Sequence, residues 1–211
     1  MEALAHKPTR SLQLDEPTWD IAYLFPRQGQ WTIAEYLELE GRNNRHIEFS
    51  AGRIEILPMP TALHQIFLQN LYRLLFEYVR KHLKGARLLV APHPVRLSGE
   101  QFFEPDILLL LPNHLDRAYD QFTDTPDLVV EIVSAGNRKH DLVTKRAVYA
   151  EAGIVEYWIV DPQAKSITVL MLSSSQYDEH GVFLKGDIFT SSLLSGFAVA
   201  VDDILNTDPE F

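Results

Sequence analysis

Two acidic side chains stand where apolar strands would exclude them. Glu104-Pro105-Asp106 opens the aliphatic run Ile107 to Leu111, and Glu131 interrupts Asp127-Leu128-Val129-Val130-Glu131-Ile132-Val133. Such runs predict strands buried on both faces, where an unpaired carboxylate costs several kcal/mol. The charge must be compensated. Two carboxylates at corresponding places on two strands can converge on one divalent cation, and hard oxygen donors suit Mg²⁺ or Mn²⁺. The chemistry indicated is metal-assisted hydrolysis. Bland alternatives stand beside it. A strand-opening aspartate is also a common turn residue, and Glu131 can form an internal ion pair with Arg138, Lys139 or Lys145, although such pairs are costly to desolvate.

Other site types are poorly represented. With no cysteine there is no disulfide framework and no thiolate metal site. His6, His46, His82, His93, His114, His140 and His180 show no His-Glu-x-x-His spacing for zinc, and neither a Gly-x-Gly-x-x-Gly nor a Walker-type sequence occurs. Ser134-Ala135-Gly136-Asn137 reads either as a plain turn or as a loop offering main-chain amides to a phosphate. A net charge of −10 opposes binding to nucleic acid. The stretch Arg138 to Arg146 offsets this locally, with Arg138, Lys139, Lys145 and Arg146 against Asp141, and predicts a basic rim.

The elements that must position these residues follow one another without repeats. The first thirty residues mix Pro8, Pro17, Pro26 and Gly29 aperiodically and read as a loosely attached arm. Thr32 with Glu35 makes a capping box for a short helix ending near Gly41. Then His46 to Phe49 and Arg53 to Leu57 alternate about Ala51-Gly52 as a hairpin. Leu63, Ile66, Phe67, Leu71, Leu74, Leu75 and Tyr78 recur at helical spacing between Thr61 and Lys84. Its Arg73, Arg80 and Lys84 read as a solvated face.

Strands are expected at Arg87 to Ala91, Val95 to Leu97, Asp106 to Leu111 and Leu128 to Val133. A helix over Asp141 to Ala152 follows, capped by Gly153, and Val155 to Val160 then turns at Asp161-Pro162-Gln163-Ala164 into Ile167 to Leu172. The fold class is α/β (α+β), a mixed β-sheet flanked by helices with additional β-hairpins. The tail reads as further hairpins, with a turn at Glu179-His180-Gly181.

The chain divides into an arm over 1–30, a core over 31–172 and a C-terminal β extension of the same domain over 173–211. No apolar stretch reaches the roughly 18 residues that a membrane span needs, and Met1 to Gln13 lacks a signal-type apolar region. The expectation is a cytoplasmic protein.

Taken together, Pro105-Asp106, Glu131-Ile132-Val133 placed 25 residues after Asp106, Lys145 with Tyr149 on a helix, and Glu156-Tyr157-Trp158-Ile159-Val160-Asp161-Pro162 resemble the Uma-type branch of the PD-(D/E)XK nuclease superfamily. The resemblance covers roughly Trp31 to Leu172. It implies a restriction-endonuclease-like core in which Asp106 and Glu131, with a main-chain carbonyl such as that of Ile132, hold Mg²⁺ (or Mn²⁺) for phosphodiester hydrolysis. The superfamily's usual lysine two residues after the glutamate is replaced here by Val133, and Lys145 is the candidate substitute. Glu48 and His64 match a glutamate and a histidine of similar proteins and are supporting candidates, as is Tyr149.

The implied activity is that of an endonuclease acting on DNA. A homodimer would suit two cuts on two strands, with Tyr157 and Trp158 available for its interface. The alternative, motivated by Val133 and the acidic surface, is a catalytically weakened interaction module of the same fold.

Overall fold

A computed structural model describes residues 25–42, 46–134, 138 and 140–208. The first 24 residues of the arm, Lys139 and the loop residues Ala135, Gly136 and Asn137 lie outside the described residues. Of the arm, Gln28 pairs with the Ile54 backbone in both directions, at 2.7 and 2.8 Å, and Gly29 and Trp31 donate to the Gly52 carbonyl.

Local signals set the first elements. Helix α1 (Ile33–Glu40) begins at Thr32, whose side chain accepts from the Glu35 amide while Glu35 reaches back to Thr32, so the capping box is complete. Strands β1 (Ile47–Ser50) and β2 (Arg53–Ile56) form the expected hairpin. Its Ala51 and Gly52 both take positive φ, 48° and 72°, as a two-residue hairpin turn requires. Helix α2 (Ala62–His82) starts at the Thr61 cap and buries Phe67, Leu71, Leu75 and Val79.

The strands β3 (Arg87–Val90), β4 (Val95–Leu97), β5 (Gln101–Phe103), β6 (Ile107–Leu110), β7 (Thr123–Asp124) and β8 (Leu128–Ile132) come next. β5 and β7 lie outside the expected set. They are three and two residues long, too short for periodicity to reveal. The helix expected over Asp141 to Ala152 splits into a π-helical turn, His140–Thr144, and α3 (Lys145–Glu151). After it come β9 (Glu156–Asp161), β10 (Ser166–Ser173), β11 (Gln176–Leu184), β12 (Ile188–Thr190), β13 (Ala198–Ala200) and α4 (Val201–Ile204).

The tail corrects one expectation. Glu179-His180-Gly181 is no turn: it lies inside β11, where the register against β10 slips between Val169 and Leu170 and leaves His180 as the extra residue of a bulge. Glycine among polar residues marks a bulge as readily as a turn.

Six strands form the main sheet in the order β11-β10-β9-β8-β6-β3, antiparallel except for the parallel β8/β9 pair. A second sheet has the order β2-β1-β5-β4-β7, and β12/β13 form a third, two-stranded one. Side-chain alternation divides the main sheet cleanly. Ile107, Leu109, Val130, Ile132 and Trp158 pack with α2, Phe189, Phe197 and Ile204 on one face. On the other, Leu108, Val129, Val133, Tyr157 and Ile159 pack against α3 and the β4/β5 residues Val95 and Phe103. Tyr157 and Trp158 are both fully buried, which corrects their expected place at a dimer interface. Their tryptophan and tyrosine rings fill the core on opposite faces of β9.

Candidate active site

β6 and β8 are antiparallel neighbours in which Ile107 faces Val130, so Asp106, one residue before β6, falls at the register position of Glu131. Alternation then directs both carboxylates to the α3 side of the sheet, together with Leu108, Val129 and Val133. The contacts agree. Asp106 Oδ2 accepts the Ile132 amide at 2.7 Å and lies 3.2 Å from His64 Nε2. His64 comes from the first turn of α2, whose Thr61 cap fixes the His64 amide at 3.2 Å.

Glu131 meets α3. Lys145 Nζ donates to Glu131 Oε1 at 2.8 Å, and the Tyr149 hydroxyl donates to the same oxygen at 2.6 Å. Lys145 and Tyr149 are one turn apart on α3, which explains how they reach a single acceptor. Val133, in the place where the superfamily's lysine usually stands, is packed into the core beside Tyr149. The ammonium that a strand lysine would supply arrives from the helix instead.

Other carboxylates crowd the same ammonium. Glu48 Oε1 from β1 lies 3.2 Å from Lys145 Nζ, and Asp141 Oδ1 from the π-helical turn lies 3.6 Å away. His140 Nε2 contacts the other Glu48 oxygen at 3.1 Å. At the rim His46 Nδ1 pairs with the buried Glu104 at 3.1 Å. Every candidate therefore converges here: Asp106, Glu131, Lys145, Glu48, His64 and Tyr149. Sequence reasoning passed over Asp141, His140 and Glu104. The contact between Glu48 and His140 spans 92 residues, and no local spacing could announce it.

Electrostatics follows from crowding. Burial lifts the Glu131 carboxyl well above its ordinary value; Lys145 pulls it back, while Asp106 and Asp141 push it further up. Burial works against the Lys145 ammonium, but Glu131, Glu48 and Asp141 outweigh it and hold its pKa well above the ordinary lysine value. Lys145 is a fixed cation. The Tyr149 hydroxyl is pushed up by burial and by Glu131, so it stays protonated as a donor. For Glu48, burial raises and Lys145 and His140 lower, leaving a net decrease.

Among the described residues the expected basic rim does not form. Lys145 is buried in the acidic cluster, Arg138 closes on Asp161 at 2.6 Å, and Arg146 donates to the Tyr177 carbonyl. Each cation of this stretch that lies among the described residues is spent on an internal acceptor. Glu131, Asp106, Ile132 and Lys145 line one pocket of about 540 Å³, together with His64 and Met59.

Among the described residues, no three His, Cys, Asp or Glu side chains converge in metal-holding geometry. An ion here would rest on few protein groups, which is how Mg²⁺ is ordinarily held: one or two carboxylates, with water and phosphate at the remaining positions. Asp106 and Glu131 fit that description. Burial raises the Glu131 carboxyl most, and Asp106 and Asp141 add to it against the pull of Lys145; a divalent cation beside the pair would favour the ionised form.

Comparison with known proteins agrees with this architecture. The family model Uma2, described as "Putative restriction endonuclease", matches residues 33–202. No curated protein matches the chain. The crystal structure of a "putative nuclease belonging to DUF820" from Anabaena variabilis superimposes with a TM-score of 0.63 at 18% sequence identity, covering 80% of this chain and 96% of that one. At that identity the likeness is one of fold: restriction-endonuclease-like, with mixed sheets flanked by helices.

Proposed function

This chain belongs to the Uma2 family, and from that premise we propose that it is a divalent-metal-dependent endonuclease that hydrolyses phosphodiester bonds of DNA. The observation that carries the reading is the pairing of Asp106 and Glu131 at one register position, on one sheet face, with the Lys145 amine 2.8 Å from Glu131. Asp106, Glu131 and the Ile132 main chain would hold Mg²⁺ or Mn²⁺. Bound there, the cation would make water nucleophilic and neutralise charge building on the phosphate.

The protein groups have separable tasks. The Lys145 ammonium has no lone pair to accept a proton, so its part is to stabilise anionic charge and hold Glu131 in place. Tyr149 fixes the Glu131 rotamer, and His64 does the same for Asp106. Glu48 anchors Lys145 and His140. A homodimer remains part of the proposal, with contacts other than Tyr157 and Trp158.

A second reading, the weakened interaction module, is favoured by one observation: three carboxylates within 3.6 Å already engage Lys145. Supercoiled plasmid incubated with the protein and Mg²⁺ or Mn²⁺ separates the two. The nuclease reading expects nicking that Asp106→Ala and Glu131→Ala abolish. Nicking unchanged in both variants, or none from the wild type with either metal, would reject it.

A further inference from the structure

The pocket over the acidic pair has two unlike parts. Its acidic part carries Asp106, Glu131, Asp141, Glu104 and Asp161; the lysine and arginine that line it, Lys145 and Arg138, are each already in an ion pair with a carboxylate. One wall is apolar: Leu57, Pro58, Met59 and Pro60, which join β2 to α2, and Leu63 in the first turn of α2. That wall is also unusually bare. Met59 is 72% exposed and Leu63 43%, with Ile56 at the adjoining end of β2 58% exposed.

Duplex DNA is gripped mainly through its phosphates, by lysine and arginine side chains that displace counterions. Among the described residues this pocket offers little such grip, because Lys145 and Arg138 each already pair with a carboxylate, and the chain carries a net charge of −10. Binding energy near the scissile phosphate must therefore come from somewhere else. Unpaired bases provide it, because their apolar faces leave water when laid on apolar side chains; on an aromatic ring such a contact contributes about 1–3 kcal/mol per base, and an aliphatic wall supplies the burial without the stacking. Apolar side chains, methionine and proline among them, also serve as wedges against unstacked bases. Pro58 and Pro60 flank Met59 and restrict the backbone that carries it. A cavity of about 540 Å³ is within the range of small-ligand sites.

Resting on the nuclease reading, we infer that the wall of Leu57, Met59 and Leu63 is a subsite for an unpaired nucleobase next to the cleaved phosphate, so that the preferred substrate is single-stranded or locally unpaired DNA. The base packs on Met59 and Leu63 while its phosphate reaches the acidic part through the cation. Fully paired DNA would have to surrender base stacking first.

The test compares three oligonucleotides of matched sequence with Mg²⁺: a single strand, its perfect duplex, and a duplex with a central unpaired stretch. Asp106→Asn runs as the control. Cleavage of the single strand and of the unpaired stretch is expected to exceed that of the duplex by about 10-fold or more. Met59→Asp should lower kcat/KM on the single strand about 10-fold through KM, and Met59→Leu should retain it. Met59 is largely exposed, so neither substitution threatens folding.

Equal or faster cutting of the perfect duplex, abolished by Asp106→Asn, would overturn the subsite and leave the nuclease reading intact. Should no DNA be cut in an Asp106-dependent way, the nuclease reading fails, and fluorescence-anisotropy binding of the same oligonucleotides in Ca²⁺ decides. Single strands bound about 10-fold more tightly than duplex, with Met59→Asp removing the difference, would support the subsite; equal affinities would overturn it. A wild-type dimer that Met59→Asp splits, with DNA preference unchanged, would assign the patch to a second copy of the chain and also overturn it.

Discussion

Two buried glutamates on adjacent strands have opposite surroundings. Glu131 on β8 is 4% exposed and Glu156 on β9 is 0% exposed, and both interrupt aliphatic runs. Glu156 is met by neutral donors: Trp158 Nε1, the Ser191 hydroxyl, and the amides of Ser192 and Leu193 at 2.9 and 2.8 Å. It ties the segment after β12 to the main sheet. Glu131 is met on one oxygen by Lys145 and Tyr149, and its carboxyl is raised by burial first and then by Asp106 and Asp141 nearby. A buried carboxylate in a strand therefore announces only that something compensates it. A site is distinguished by what does so: neutral donors close a loop, whereas competing carboxylates around one cation leave charge for a metal to absorb.

Substitution sharpens the contrast, and the largest effect is expected at Asp106. Asp106→Asn should reduce metal-dependent cleavage on the order of 10²- to 10³-fold, the scale for losing one oriented charge at a reacting centre, with little change in the denaturant midpoint. Lys145→Met should cost both activity and stability. Removing the ammonium takes from Glu131, Glu48 and Asp141 the buried cation they share, about 3–5 kcal/mol in urea unfolding. Glu156→Ala should destabilise by about 3 kcal/mol, because several buried donors lose their acceptor. The folded fraction should cut DNA at the wild-type rate. A Glu156→Ala protein of normal stability and lost activity would break the comparison outright.

Smaller effects probe the surroundings. Tyr149→Phe removes one hydrogen bond to Glu131 and should cost about 1–2 kcal/mol in urea unfolding. The His140 imidazole is raised by its hydrogen bond to Glu48, against the opposing effect of burial. A raised folded-state value means that its contribution is fully present below the ordinary imidazole value and is lost as pH rises through the raised one. Urea midpoints should therefore fall by more in the wild type than in His140→Gln as pH rises above the ordinary imidazole value. Equal slopes would remove His140 from the account.

Much of the architecture was legible because its causes are local. Thr32 and Glu35 announce a helix start, Ala51-Gly52 a hairpin, and the α2 periodicity a helix that buries Phe67, Leu71 and Leu75. The acidic pair was legible too, since a carboxylate inside an aliphatic run requires explanation wherever it lies. What compensates it is not local. Glu48 and His140 meet across 92 residues, and the place of Lys145 depends on a π-helical turn that helix periodicity does not distinguish from an α-helical one. Tyr157 and Trp158 were assigned to a surface because large apolar residues serve interfaces and cores alike; the central place of β9 in the sheet decides for the core. The bulge at His180 is hidden in the sequence for a similar reason, because Gly181 suits a turn as well as a strand irregularity.

On the proposed function, Asp106 and Glu131 hold one divalent cation between them while Glu156 holds none. Calorimetric titration of Mn²⁺ into the wild type, Asp106→Asn, Glu131→Gln and Glu156→Gln tests it directly. The account predicts one ion per chain in the wild type and in Glu156→Gln, with binding lost in the other two. No binding by the wild type, or binding unchanged in both Asp106→Asn and Glu131→Gln, would contradict it.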